Sequence, residues 1–350
     1  MIKFNEQWLW ERLQGAKKPV VLYGMGNGAD KIRKVCGEKK IPVAGVFASD
    51  GFCRNHEYNG FTVTTYEQAK AVFGDMIVLL CFGTGRQDVI QNIERIAVEQ
   101  ELYAPDVPVY GHELFDESHW RLNQSSYNEA FELLTDIQSQ KTFMGLLQYR
   151  ASGKIEYLKN CEASAEEAYE SILKLSDTET YLDGGAYTGD TVQEFLRHVR
   201  GHNRILAVEP DARNFAKLIK NTQDLENIAC LKIGLHSRKG EMHFASRAGR
   251  HASLDEASNN VVPADTIDNI LDGGAVTFIK MDVEGQEIQA ILGAQNTIAA
   301  YKPKLQIAAY HKTDDLFAIP LCIKKTRPDY RVYIRHTTCI PAWDTSYYFV

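Results

Sequence analysis

The run DGGAYTGD, residues 183–190, sets three glycines between acidic residues at a point where an apolar stretch gives way to a helical one. Glycines let a chain turn sharply and bring bare backbone up to a ligand, and the N–H groups opening the following helix, Thr191 to Arg200, suit an anionic or polar ligand group. A second acid follows in AVEP, residues 207–210, which puts Glu209 at the carboxyl end of the next strand, where a carboxylate can accept both hydroxyls of a ribose. A glycine turn followed by such an acid is what a nucleoside cofactor requires. Two more groups belong to the same rim. KMDVEG, residues 280–285, carries Asp282 and Glu284, and in a strand residues two apart share a face. AAYHK, residues 308–312, brings His311, whose intrinsic pKa range suits taking a proton near neutrality.

Strands alternating with helices would position these residues. Tyr181 to Asp183, Ile205 to Glu209, Ile228 to Leu235, Val276 to Asp282 and Leu305 to His311 read as strands, and Tyr330 to His336 and Ser346 to Val350 read as a closing antiparallel pair around Pro341. The first third repeats the alternation. Val20 to Tyr23, Val43 to Ala48 and Met76 to Phe82 are strand-like, with helical Ala29 to Gly37 and Asp88 to Glu99 between and after them. Between the two, residues 112–176 lack strand-like alternation and read as a helical connector. The expected fold is α/β: two Rossmann-like three-layer domains, 1–111 and 177–350, joined by that connector. The first carries its own GxGxxA turn, Gly24, Gly26 and Ala29, with Asp50 where a ribose-binding acid would stand.

The chain has 350 residues, 44% hydrophobic and 24% charged, enough for about two cores. Its net charge of −7 with interspersed signs lacks the basic stripe that nucleic-acid phosphates need. The apolar stretch 76–82 is far shorter than the roughly 20 residues of a membrane span. Met1 to Leu13 carries Glu6 and Glu11 and does not read as a signal peptide, so a cytoplasmic location is expected. The seven cysteines never fall as CxxC and are read as reduced thiols.

In that order, DGGAYTGD, AVEPD, IKMDVEGQE with ILGA after it, and YHK resemble the FkbM-type methyltransferases over about Tyr181 to His336. The resemblance implies a class I methyltransferase sheet, S-adenosylmethionine as donor, and an oxygen acceptor on a sugar or another small molecule. It places the cofactor over Asp183, Gly184, Gly185, Ala186, Tyr187, Gly189, Asp190 and Thr191, with Glu209, Pro210 and Asp211 at its ribose and Asp282 near its methionine part. Tyr187 replaces the middle glycine of the wider motif, and Ala309 stands where many members place a glutamate. His311 is then expected to act as general base, with Asp282 and Glu284 positioning the donor or fixing the His311 tautomer. An alternative gives Asp282 and Glu284 to Mg2+. Arg247 to Glu256, with His251 and Ser253, could contribute to an acceptor lid, although a plain solvated loop is the simpler reading. A competing class, an NAD-dependent oxidoreductase or a nucleotide-sugar-binding protein, would use the GxGxxA turn, but no hydride-transfer constellation stands in comparable context. A non-catalytic binding protein and assembly into a homo-oligomer both stay open.

Overall fold

The computed structural model describes residues 2, 4, 6–49, 53, 56–243 and 261–350. Asp50 and the segment Arg247 to Glu256, with His251 and Ser253, lie outside the described residues.

Near the amino terminus, β1 (Val20–Tyr23), β2 (Val43–Phe47), β5 (Ile77–Leu80) and β6 (Glu101–Tyr103) form a parallel sheet in the order β2-β1-β5-β6. Every residue of β1 and β5 is buried, as unbroken apolar runs require when helices cover both faces. A short hairpin, β3 (Glu57–Tyr58) with β4 (Phe61–Thr62), leads into helix Tyr66–Phe73, which Thr65 and Gln68 cap reciprocally. Two long helices, Glu117–Glu132 and Ile137–Ser152, follow, each started by an aspartate accepting backbone N–H groups, Asp116 and Asp136. The second of them is buried over most of its length and packs against β15 (Val332–His336).

The larger sheet has seven strands. β7 (Thr180–Gly184), β8 (Arg204–Val208), β9 (Ile228–Leu231), β13 (Phe278–Met281) and β14 (Lys304–Ala308) are mutually parallel, and β16 (Thr345–Phe349) runs antiparallel between β14 and β15. The order is β15-β16-β14-β13-β7-β8-β9. The chain therefore leaves β7 toward one edge through β8 and β9, then returns to its other side through β13. That reversal opens a crevice beyond the carboxyl ends of β7, β8 and β13, the place where open α/β sheets hold ligands. Buried apolar residues of both sheets, among them Val21, Val78, Leu182, Ile279 and Ile334, belong to one contiguous core with Phe143 and Leu147 of the central helix.

Three expectations need correction. The stretch Ile228 to Leu235 is not one strand: after β9 the chain leaves the main sheet, and β10 (Gly234–Leu235) joins β12 (Val261–Asp265) and β11 (Gly240–His243) in a separate three-stranded sheet, with Gly234 packed under the Met242 sulfur. Asp282 and Glu284 do not share a strand face, because β13 ends at Met281 and both sit in the turn after it. His311 likewise lies three residues beyond the end of β14.

Candidate active site

A cleft of about 560 Å³ opens at the crevice. The turn after β7 forms one wall. Gly185 has φ +83°, and a Cβ there would stand 1.9 Å from the Asp282 carbonyl oxygen, so only glycine allows this turn to lie against the end of β13. Tyr187 adopts φ +48°, the left-handed conformation that a glycine would take without cost, and Gly189 at +89° starts helix Asp190–His198. The turn is tied to β8: Val208 O accepts from the N–H groups of Gly185 and Ala186, at 2.9 and 3.0 Å. Glu209 continues the tie, its Oε2 accepting from Tyr187 N at 2.9 Å and its Oε1 from Asp211 N at 2.8 Å. Burial pushes the Glu209 carboxyl up to about 7 against the pull of those two N–H groups. Each of its oxygens keeps a further acceptor position.

Opposite lies a cluster of acids around a histidine. Asp282, Glu284 and His311 do converge, through the turn of residues 282–285 rather than through strand alternation. Glu284 holds φ +52°, a strained conformation for a residue with a side chain, and its Oε2 is buried without a hydrogen-bond partner among the described residues. His311 is 1% exposed. Its Nε2 stands 3.5 Å from both Asp282 Oδ1 and Glu284 Oε2, and its Nδ1 stands 2.9 Å from Glu287 Oε1. Burial alone would depress the imidazole, yet Glu287 first, then Asp282 and Glu284, raise it to about 10. The imidazole thus titrates above the near-neutral range expected from the bare residue type. Burial also raises Glu284, to about 8, with His311 opposing. Tyr310 donates its hydroxyl to Asp282 at 3.3 Å, and buried Lys280 approaches the same carboxylate at 3.9 Å.

Of the residues singled out in the sequence, Gly185, Tyr187, Asp190, Thr191, Glu209, Pro210, Asp282, Glu284 and His311 line the cleft. The others stand behind it. Asp183 is fully buried, accepts a hydrogen bond from Thr191 Oγ1, and leaves Oδ1 without a partner among the described residues. Gly184 and Ala186 are packed inside, Gly189 caps its helix against Leu218 and Thr222, and Asp211 caps helix Ala212–Thr222. Glu287 escaped the sequence reading although it lies in the same EGQE run. Its Oε1 also accepts from Val283 N at 3.0 Å, so one carboxylate both closes the turn and grips His311. Ala309 is buried, and Glu287 is the acid nearest the His311 imidazole.

Ligand atoms of Asp282, Glu287 and His311 lie within 4.8 Å of one another, as do those of Glu113, His119 and Asp314. The first group differs from the Asp282 and Glu284 pair considered for Mg2+, and its histidine is held protonated. In the amino-terminal glycine turn a Cβ on Gly28 would stand 2.1 Å from Cys81 O and the Phe82 ring covers Gly24, whereas a Cβ on Gly26 would meet nothing within 4 Å; none of residues 24–29 lines the cleft.

Residues 183–330 match the model of the methyltransferase FkbM domain. Among solved structures, the chain resembles a methyltransferase FkbM from Methylobacillus flagellatus KT, with a TM-score of 0.75 and 23% identity over 96% of this chain and 91% of that one. Weaker likenesses are to Aeropyrum pernix fibrillarin with bound S-adenosyl-L-methionine, at TM-score 0.34 and 14% identity over 53% of this chain and 74% of that one, and to a precorrin-6y C5,15-methyltransferase from Geobacter metallireducens, at 0.33 and 12% over 51% and 81%. No curated protein matches the chain.

Proposed function

We propose that this chain, a methyltransferase carrying an FkbM domain over residues 183–330, uses S-adenosylmethionine to methylate a hydroxyl oxygen of a sugar or related small molecule. The observation that carries this reading is the convergence of the Gly185 turn, Glu209 and the acids around His311 on one cleft. The residues fit the donor. The Gly185 cradle would be filled by any Cβ, Glu209 keeps acceptor positions for ribose hydroxyls, and the carboxylate of Asp282 suits a molecule that carries a sulfonium and an ammonium.

When bound, S-adenosylmethionine supplies an electrophilic methyl group whose transfer to oxygen discharges the sulfonium and releases the hydroxyl proton. Asp282, fixed by Tyr310 and Lys280, and Glu209 would hold the donor. The proton needs an acceptor within reach of the reacting hydroxyl. Glu284 and His311 form that unit. Glu287 keeps His311 charged, the imidazolium stabilises the ionised form of Glu284, and the Glu284 carboxylate, which lines the cleft, is the proton acceptor. His311 thereby moves from base to the partner that makes Glu284 a base. The imidazolium already compensates Asp282 and Glu284, which removes the reason to place Mg2+ there, and full activity after exhaustive chelation is expected.

Titration calorimetry with S-adenosylmethionine, S-adenosylhomocysteine and NAD, joined to turnover with methyl glycosides, tests the reading. Binding of the first two and methylation of a glycoside support it. Binding of NAD alone would transfer the function to the Gly24 to Ala29 turn and overturn it.

A further inference from the structure

The wall of the cleft facing the donor side is built by two loops from different sheets. One is Gly83 to Gly85, which follows β5; the other, residues 337–344, joins β15 to β16. They are stitched together by main chain: Thr84 N donates to Ile340 O at 2.8 Å, and Ile340 N returns a bond to Thr84 O at 3.0 Å. Gly83 lies under the Trp343 indole, since a Cβ there would be 2.1 Å from the ring. The amino-terminal sheet therefore sets where Trp343 stands. An indole lining a polar cleft offers a flat apolar face beside groups able to bind hydroxyls, which is the combination a pyranose ring needs. Charge narrows the ligand further. Among the described residues lining the cleft, Asp190, Glu194 and Asp282 are acidic, as are Glu209 and Glu284 once ionised, against Lys280 and His311, both buried and both beside Asp282.

Resting on the methyl-transfer reading, we propose that loops 83–85 and 337–344 form a composite acceptor subsite in which Trp343 stacks on an uncharged sugar ring, and that phosphorylated sugars and nucleotide sugars are rejected. Specificity would then depend on the amino-terminal sheet as well as on the FkbM domain. This gives the first 111 residues a part in substrate choice.

The test uses the full chain and methyl α-glycosides of glucose, galactose, mannose and rhamnose, with the 6-phosphates of the first three sugars as charged probes. Saturation-transfer NMR on the S-adenosylhomocysteine complex reads binding, and release of S-adenosylhomocysteine reads turnover. Expected are binding of at least one uncharged glycoside, a KM for it raised about tenfold in Trp343→Ala with kcat within about twofold, and near recovery in Trp343→Phe. Gly83→Val should raise the same KM by displacing the indole. S-adenosylhomocysteine affinity, within about twofold of the parent in all three variants, confirms that each is folded. An unchanged KM in Trp343→Ala, tighter binding of the 6-phosphates, or no response to any uncharged glycoside by a chain that binds S-adenosylhomocysteine would overturn this proposal alone. Failure of the unaltered chain to bind S-adenosylhomocysteine would overturn the methyl-transfer reading beneath it.

Discussion

His311 touches three carboxylates and no bulk water, so its chemistry is set by Glu287, Asp282 and Glu284 more than by the imidazole itself. Replacing it with glutamine removes the cation beside Glu284 while keeping its size. Turnover in His311→Gln should fall about a hundredfold or more with S-adenosylhomocysteine affinity nearly intact, measured by steady-state kinetics and calorimetry. Equal loss of both would mean a structural role. Glu284 gives a different signature. Its carboxyl is raised to about 8, so the ionised, proton-accepting form accumulates as pH rises, and kcat should climb with an inflection near 8. Glu284→Gln should lower kcat and flatten that limb; an unchanged profile would remove Glu284 from the proton path. That Asp282, Glu284 and His311 meet at one rim was legible from residue type and spacing. The division of labour proposed for them was not, because it depends on Glu287, which a linear reading of EGQE cannot aim at a histidine 24 positions later, and on burial, which no single residue type encodes.

The elements that matter most are two turns in contact, the one after β7 and the one after β13. Their approach is limited by Gly185, where a Cβ would collide with the Asp282 carbonyl oxygen at 1.9 Å and φ is +83°. Gly185→Ala should cost about 3 kcal/mol, from left-handed strain together with overpacking, and should abolish S-adenosylhomocysteine binding. Thermal denaturation and calorimetry together check both effects, and a stable variant with normal affinity would refute the cradle. Apolar runs bounded by glycine made β1, β5, β7 and β8 readable, since a buried parallel strand is little else than such a run. Strand ends were less readable. Asp282 and His311 seemed to finish strands, yet β13 and β14 stop at Met281 and Ala308, where the chain gives up ladder hydrogen bonds to turn. β10 was merged with β9, and β11 and β12 went unread, for another reason: segments of two to five residues carry too short an alternation, and their pairing with one another, with Gly234 against Met242, defines them.

At the scale of the whole molecule, function and stability pull on the same groups. Glu209 is raised to about 7, Glu284 to about 8 and His311 to about 10. Each therefore binds protons more tightly folded than unfolded. Their contribution to stability is full below the unfolded pKa, near 4 for the acids and 6.5 for histidine, and is lost as pH rises through the folded value. The ligand-free protein should be most stable near pH 5 and lose melting temperature steadily toward pH 10. A rising curve between pH 6 and 9 would show that the acids are paired differently. Arg335 marks another long-range dependence. It is 2% exposed and joins β15 to Asp136 and Glu167 at 2.7 and 2.8 Å, linking the central helices to the seven-stranded sheet. Both partners are about one-third exposed, which tempers the cost, so Arg335→Ala should lose about 2 kcal/mol in denaturant titration; a loss below about 0.5 would mean the link is incidental. The measurement that bears most directly on the whole account is a crystal structure of the chain grown with S-adenosylhomocysteine. The account predicts the adenosyl group between the Gly185 turn and Glu209, with its amino-acid end toward Asp282. Density at Gly24 to Ala29 instead, or none in the cleft at saturating ligand, would contradict it.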